Sequence, residues 1–253
     1  MHLTTNKFKA ALKANQPQIG IWSSLSNHLA VEVLADAGFD WVLLDTEHSP
    51  NELPMVLQQL QALKEGTATP IVRPAWNDMV LVKRYLDLGV QTLLLPYVQN
   101  AEEAAAAVRY TRYPPEGVRG VSGGSRASRF GRYKDYFKRV HDETCLLVQV
   151  ETQSAMKEIE KICAVDGVDG VFIGPNDLAA DMGHLGNWQH PDVWKVMEDA
   201  AKRIRKAGKA PGILVGEADG KRCLDMGYLF VAVGSDIGML ARGTEALAAK
   251  FKS

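Results

Sequence analysis

A chain of 253 residues, 46% hydrophobic and 23% charged, has the makeup of a folded globular protein rather than a disordered or fibrous one. A formal charge of −1 argues against broad attraction to nucleic acid or membrane surfaces, and no apolar run is long enough to span a bilayer. The three cysteines, Cys145, Cys163 and Cys223, are odd in number and scattered, which fits neither a zinc knuckle nor a disulfide framework. With a polar, amphipathic N-terminus in place of a signal sequence, the expectation is a cytoplasmic protein with buried thiols.

The pattern begins with a short amphipathic helix over about 5–14, with Phe8, Ala11 and Leu12 on one side. QIGIWSS (18–24) reads as a first strand, and SNHLAVEVLADAG follows as a helix with Ser26 or Asn27 as N-cap and Gly38 as its stop. WVLLDTE (41–47), TPIVRP (69–74) and TLLLPYV (92–98) are the next strands, each followed by a helical pattern. A polar insertion from 113 to 142, rich in Gly, Ser and Arg, precedes a fifth strand at Leu146. SAMKEIEKICAVDG then reads as one helix, GVFIG as the sixth strand, and a helix near 190–207 leads to the seventh, APGILV (210–215). YLFVAVGSD (228–236) is the eighth strand, and the tail is helical in pattern. Eight strands alternating with helices predict one (β/α)8 barrel over 1–253. An open doubly wound sheet is the rival, but neither a dinucleotide fingerprint nor a phosphate-binding loop motif is present.

In such a barrel the chemistry sits at the C-terminal ends of the strands. This chain puts Asp45, Glu47 and His48 after the second strand, Arg73 after the third, Gln149 and Glu151 on one face of the fifth, and Asp177 after the sixth. Asp236 follows the eighth. An acid at a strand end often only caps the next helix, which is the bland reading of Asp177. Glu151, ending an apolar strand, needs a partner if buried. Two carboxylates on adjacent parallel strands suit a hard divalent ion such as Mg²⁺ or Mn²⁺. No lysine falls at a predicted strand end, so a Schiff-base route lacks its nucleophile.

DTEHSPN (45–51), VRPAWND (72–78), TRYPPEGVRGV (111–121), LVQVET (147–152) and GVDGVFIGPNDLAADMG (167–183) closely resemble the metal-dependent (class II) pyruvate aldolases. That family includes the 4-hydroxy-2-oxoheptanedioate and 2-dehydro-3-deoxyglucarate aldolases. The resemblance implies a carbon–carbon lyase that reversibly cleaves 4-hydroxy-2-oxo acids to pyruvate and an aldehyde, using Mg²⁺, Mn²⁺ or Co²⁺. It also implies a homohexamer, a trimer of dimers, with the last helix exchanged between neighbours. By the same resemblance Glu151 and Asp177 bind the ion, and Arg73 holds the oxo or enolate oxygen. Gln149 with Gly174, Pro175, Asn176 and Asp177 lines the pyruvate pocket. His48 would be the acid/base, made more basic by Asp87, with Asp45 and Glu47 supporting the water network. Asn176 departs from several relatives, which carry alanine there, and the segment at 122–128 is shorter and richer in glycine than in some. A lyase acting on a CoA thioester would need a basic surface near the barrel mouth, for which the arginines at 119–132 are the candidate. A catalytically silent 2-oxo-acid sensor is the alternative outside enzymes.

Overall fold

In a computed structural model describing residues 1–252, the eight strands are β1 (Gln18–Ser23), β2 (Trp41–Asp45), β3 (Thr69–Arg73), β4 (Thr92–Leu95), β5 (Cys145–Val150), β6 (Gly170–Ile173), β7 (Ala210–Leu214) and β8 (Phe230–Ser235). They pair in parallel in chain order, and β8 closes onto β1. The predicted (β/α)8 barrel is thus formed.

Strand parity divides the core in two. Val42, Leu44, Val72, Leu93, Val148, Val171 and Ile213 pack outward against the helices. Trp41, Leu43, Ile71, Leu94, Leu147, Phe172 and Phe230 fill the barrel itself. Gly20 of β1 is required there, because a Cβ would lie 2.1 Å from the Trp41 ring. The N-terminal helix, Lys7–Lys13, closes the bottom. Its Phe8 is fully buried, with ring centroid 6.1 Å from Trp41 and 5.8 Å from Phe230. Asn6 caps this helix by accepting from the Lys9 N–H at 3.0 Å, and its amide donates to Thr92 Oγ1 at 2.9 Å, tying the plug to β4.

Several local expectations are corrected. β4 ends at Leu95, short of 98, since Pro96 has no N–H to donate and Tyr97 turns left-handed at φ 55°. The expected single helix after β5 is two, Gln153–Lys157 and Ile159–Ala164. The break at Glu158 lets Ala155 and Met156, then Ile159, Ile162 and Cys163, all reach the core. The 113–142 insertion is partly ordered as helix, with a 3₁₀ turn at Arg126–Ser128 and a helix at Tyr136–Glu143. Tyr136 and Val140 join Leu3, Tyr113 and Ala127 in a small satellite core. All three cysteines are free and buried, as expected.

The final helix, Asp236–Ala249, buries only Asp236. Ile237, Met239, Leu240 and Leu247 are all exposed. Asp236 fixes the helix start by accepting from Ser23 Oγ at 2.8 Å and the Ser24 N–H at 2.8 Å. This acid is therefore a seam between β8 and β1 rather than part of the acidic cluster described below.

Candidate active site

The parity that puts Trp41 and Leu43 inside the barrel also puts Asp45 inside, at the last residue of β2. The same holds for Arg73 on β3, which pairs with Asp45 in register. Arg73 is 7% exposed and meets Asp45 as a two-pronged fork. Nε donates to Oδ1 at 2.9 Å and Nη2 to Oδ2 at 2.7 Å, geometry that fixes the guanidinium plane. Burial opposes ionisation of Asp45, but the Arg73 bonds outweigh it and hold the carboxyl below its ordinary range. Nη1 lies 2.9 Å from Glu47 Oε2 and 3.5 Å from the Gln149 carbonyl oxygen it donates to.

Trp22 was not singled out from the sequence, yet its ring lies under the guanidinium at 4.9 Å and its indole donates to Asp45 Oδ2 at 3.3 Å. Parity along β1 was the available signal. Tyr97 was also missed, and it contributes backbone: its N–H donates to Glu151 Oε1 at 3.1 Å. The left-handed turn at Tyr97 has no local sequence signature beyond the preceding proline.

Gln149 and Glu151 share the inner face as expected, with the Gln149 amide donating to Glu151 Oε2 at 2.6 Å. Glu151 is 2% exposed. The chain at Gly174 runs so close that a Cβ would fall 2.3 Å from Glu151 Oε2. Asp177 lies in the first turn of the helix Pro175–Asp181; Asn176 and Asp177 are exposed, whereas Gly174 and Pro175 are buried. Burial pushes Glu151 up to about 7, with the Gln149 bond opposing and the charges of Asp177 and Glu47 adding. Glu47 is likewise at about 7, raised by burial, with Arg73 opposing and Asp45 and Asp177 adding. Its Oε2 is buried without an aligned hydrogen bond despite the nearby Arg73.

His48 stands at the rim, its ring nitrogen 3.9 Å from Glu47 Oε2 and its side chain 68% exposed. Asp87 is elsewhere. It is the last residue of the helix Met79–Asp87, which returns from the top of the barrel to the bottom over about 13 Å. There it accepts from Arg119 Nη2 at 2.8 Å. Within one chain Asp87 therefore does not meet His48. Chain order already implies this, because a helix that follows a barrel strand runs back along it and ends at the opposite face. The arginine cluster is reduced as a basic surface, since Arg119 is buried and Arg126 donates to the Leu88 carbonyl, which leaves a half-buried Arg129 and an exposed Arg132 at the surface.

One arginine thus faces Asp45, Glu47, Glu151 and Asp177. The donors are all oxygens, with a buried oxygen on Glu47 that lacks a hydrogen bond and two carboxyls driven up by burial and, after it, by neighbouring charges. A hard divalent cation fits such a set. Among the described residues no lysine is buried. A closed barrel with this acidic crown defines a (β/α)8 enzyme built for divalent-ion chemistry rather than for a lysine imine.

Comparison with known proteins agrees. The profile of the HpcH/HpaI aldolase/citrate lyase family matches residues 18–243, and the chain belongs to this family. It is a carbon–carbon lyase of the metal-dependent class. It is 59% identical to a 4-hydroxy-2-oxo-heptane-1,7-dioate aldolase of Klebsiella pneumoniae over 97% of this chain and 94% of that protein. Identity to the protein of the same name from Escherichia coli is 57%, over 97% of this chain and 95% of that one. Among solved structures, an HpcH/HpaI aldolase/citrate lyase family protein from Burkholderia cenocepacia superposes with a TM-score of 0.95 at 39% identity, covering 98% of this chain and 100% of that one.

Proposed function

We propose that the protein, acting as a single barrel domain over residues 1–253, reversibly cleaves 4-hydroxy-2-oxo acids to pyruvate and an aldehyde. The observation that carries this reading is the buried Glu151, held by the Gln149 amide and the Tyr97 N–H beside Asp177, with no buried lysine among the described residues to substitute for a metal. Glu151 and Asp177 would hold the ion (Mg²⁺, Mn²⁺ or Co²⁺), which when bound supplies a Lewis acid for the charge developing on the 2-oxo oxygen.

The remaining work falls to the chain. Arg73, its plane locked by Asp45, presents Nη1 as a fixed donor for the enolate oxygen, and such a preset donor needs no reorganisation as charge appears. Gln149 and the backbone of Gly174, Pro175 and Asn176 line the space for pyruvate. His48 takes the proton of the 4-hydroxyl as the C3–C4 bond breaks. The bonding pair passes to the enolate, C4 becomes the aldehyde carbon, and the proton returns to C3. Glu47 lies between Arg73 and His48 and orders the water there. Any effect of Asp87 on His48 has to be exerted between subunits, because the two lie at opposite ends of one barrel.

The exposed apolar side chains of the final helix support its exchange into a neighbour within a hexamer. The three unpaired buried thiols fit a cytoplasmic setting. Pyruvate release from a 4-hydroxy-2-oxo acid should stop on chelation and return with Mg²⁺, Mn²⁺ or Co²⁺. Persistence in chelator, with trapping by borohydride, would overturn the reading. His48→Ala should lower kcat by about 10²–10⁴ while metal-dependent pyruvate binding survives.

A further inference from the structure

Among the described residues, one further group of side chains converges beyond the acidic crown. His184, His190 and Asp192 each offer a ligand atom, and these atoms all lie within 4.8 Å of one another. We propose that these three residues form a second cation site, selective for zinc-like transition ions over Mg²⁺. Two imidazoles and one carboxylate make a borderline-soft donor set that suits Zn²⁺ or Ni²⁺. The crown offers only oxygen, which suits harder ions. The protein then sorts cations by donor chemistry, one class to each site.

The backbone that presents these groups is already ordered. Gly183 and Gly186 take the positive φ values of 83° and 76° that turn the loop. The His184 N–H donates to the Ala179 carbonyl at 2.7 Å, that of Asn187 to His184 at 2.9 Å, and that of His190 to Asn187 at 3.0 Å. Gln189 ties the loop to Asp219 at 2.9 Å.

Asp192 is near its place beside His190, whereas His184 has to reorient. Zinc bonds to nitrogen and oxygen of about 2.0–2.2 Å put tetrahedral donors about 3.3 Å apart. His190 Nδ1 and Asp192 Oδ2 are already 3.8 Å apart. Asp192 would leave its ion pair with Lys195, a surface contact of small worth. An ion on His190 Nδ1 would replace the 3.2 Å bond that this atom accepts from the Asp192 N–H. The rings of His184 and His190 stack at 3.7 Å with planes 13° apart. The lone pairs of stacked imidazoles lie in separate, nearly parallel planes and cannot converge on one ion, so His184 has to rotate off the stack to complete the site. Occupied, the site would staple the loop after the helix Pro175–Asp181, which carries Asp177, to the helix Pro191–Lys206.

The test uses the full chain with Glu151→Gln and Asp177→Asn, so that the crown cannot hold the ion. Dialysed against Zn²⁺, this variant should retain about one equivalent per chain, and adding His184→Ala and His190→Ala should remove it. Asp192→Asn, the mildest change, should raise the zinc Kd about tenfold. Far-UV circular dichroism and thermal melting establish that each variant is folded, independently of any activity. In the wild-type chain saturated with Mg²⁺, added Zn²⁺ should shift the imidazole resonances of His184 and His190. Zinc retained after loss of both histidines, or resonances unmoved by zinc, would overturn the proposal.

Discussion

Gly174→Ala isolates how tightly the crown is built. The backbone there, φ −90° and ψ 98°, is open to any residue, so the substitution carries no conformational penalty of its own. Its whole effect comes from space: the new methyl would sit 2.3 Å from Glu151 Oε2, 2.9 Å from its Cβ and 3.3 Å from its Cδ. Restoring ordinary contact near 3.5 Å requires Glu151 or the chain at 174 to move by about 1 Å. Glu151 cannot yield freely, because Gln149 and the Tyr97 N–H hold both its oxygens. A displacement of that size in a ligand or reacting group costs about 10²-fold in rate, or about 2.7 kcal/mol, and overpacking a dense core lowers stability by about 1–3 kcal/mol. The assay pairs kcat/KM for pyruvate release with a calorimetric Mg²⁺ titration and a thermal melt. The expected result is a rate loss of about 10²-fold with weakened Mg²⁺ binding in a protein that remains folded. Wild-type Mg²⁺ affinity and turnover in a folded Gly174→Ala protein would refute the close-approach argument.

Three further outcomes follow from the same geometry. Asp45→Asn removes the charge that anchors a buried guanidinium, so stability should fall by about 3–5 kcal/mol; an unchanged denaturant midpoint would refute the pairing. Glu47 and Glu151 both titrate near 7 in the folded, metal-free chain, above the carboxylate value of 4.5. A raised folded-state value means that the native form binds protons more tightly than the unfolded chain. Chelated protein should therefore lose melting temperature as pH rises from about 4.5 to about 7, and Mg²⁺ should stabilise it more at the upper end; a flat profile would argue against the burial and crowding of these acids. Leu240→Glu and Met239→Glu, on the exposed face of the final helix, should shift size-exclusion and light-scattering mass toward smaller assemblies, and an unaltered mass would remove that helix from the interface.

Much of the barrel was legible in the chain because its causes are local. β-branched runs, a side-chain period of two and stop signals such as Gly38, at φ 95°, depend only on near neighbours. So does Asn27, which caps the second helix by accepting from the Leu29 and Ala30 N–H groups. Parity along β5 was enough to put Gln149 and Glu151 on one face. Other features were not written locally. The helix Tyr136–Glu143 is short and strongly polar, and its two buried residues acquire meaning only against Leu3 and Tyr113.

The sequence by itself determined the strand-and-helix order, the inward face of each strand and the set of acids that could gather at one rim. Only the tertiary structure decided their partners. Closure of β8 onto β1 turned Asp236 into a structural seam, while Trp22 came beneath Arg73 and Asp87, at the far end of the barrel, met Arg119. The reason is physical. A residue's direction on a strand follows from covalent geometry, whereas its partners depend on contacts between segments far apart in the chain, made only when the barrel closes.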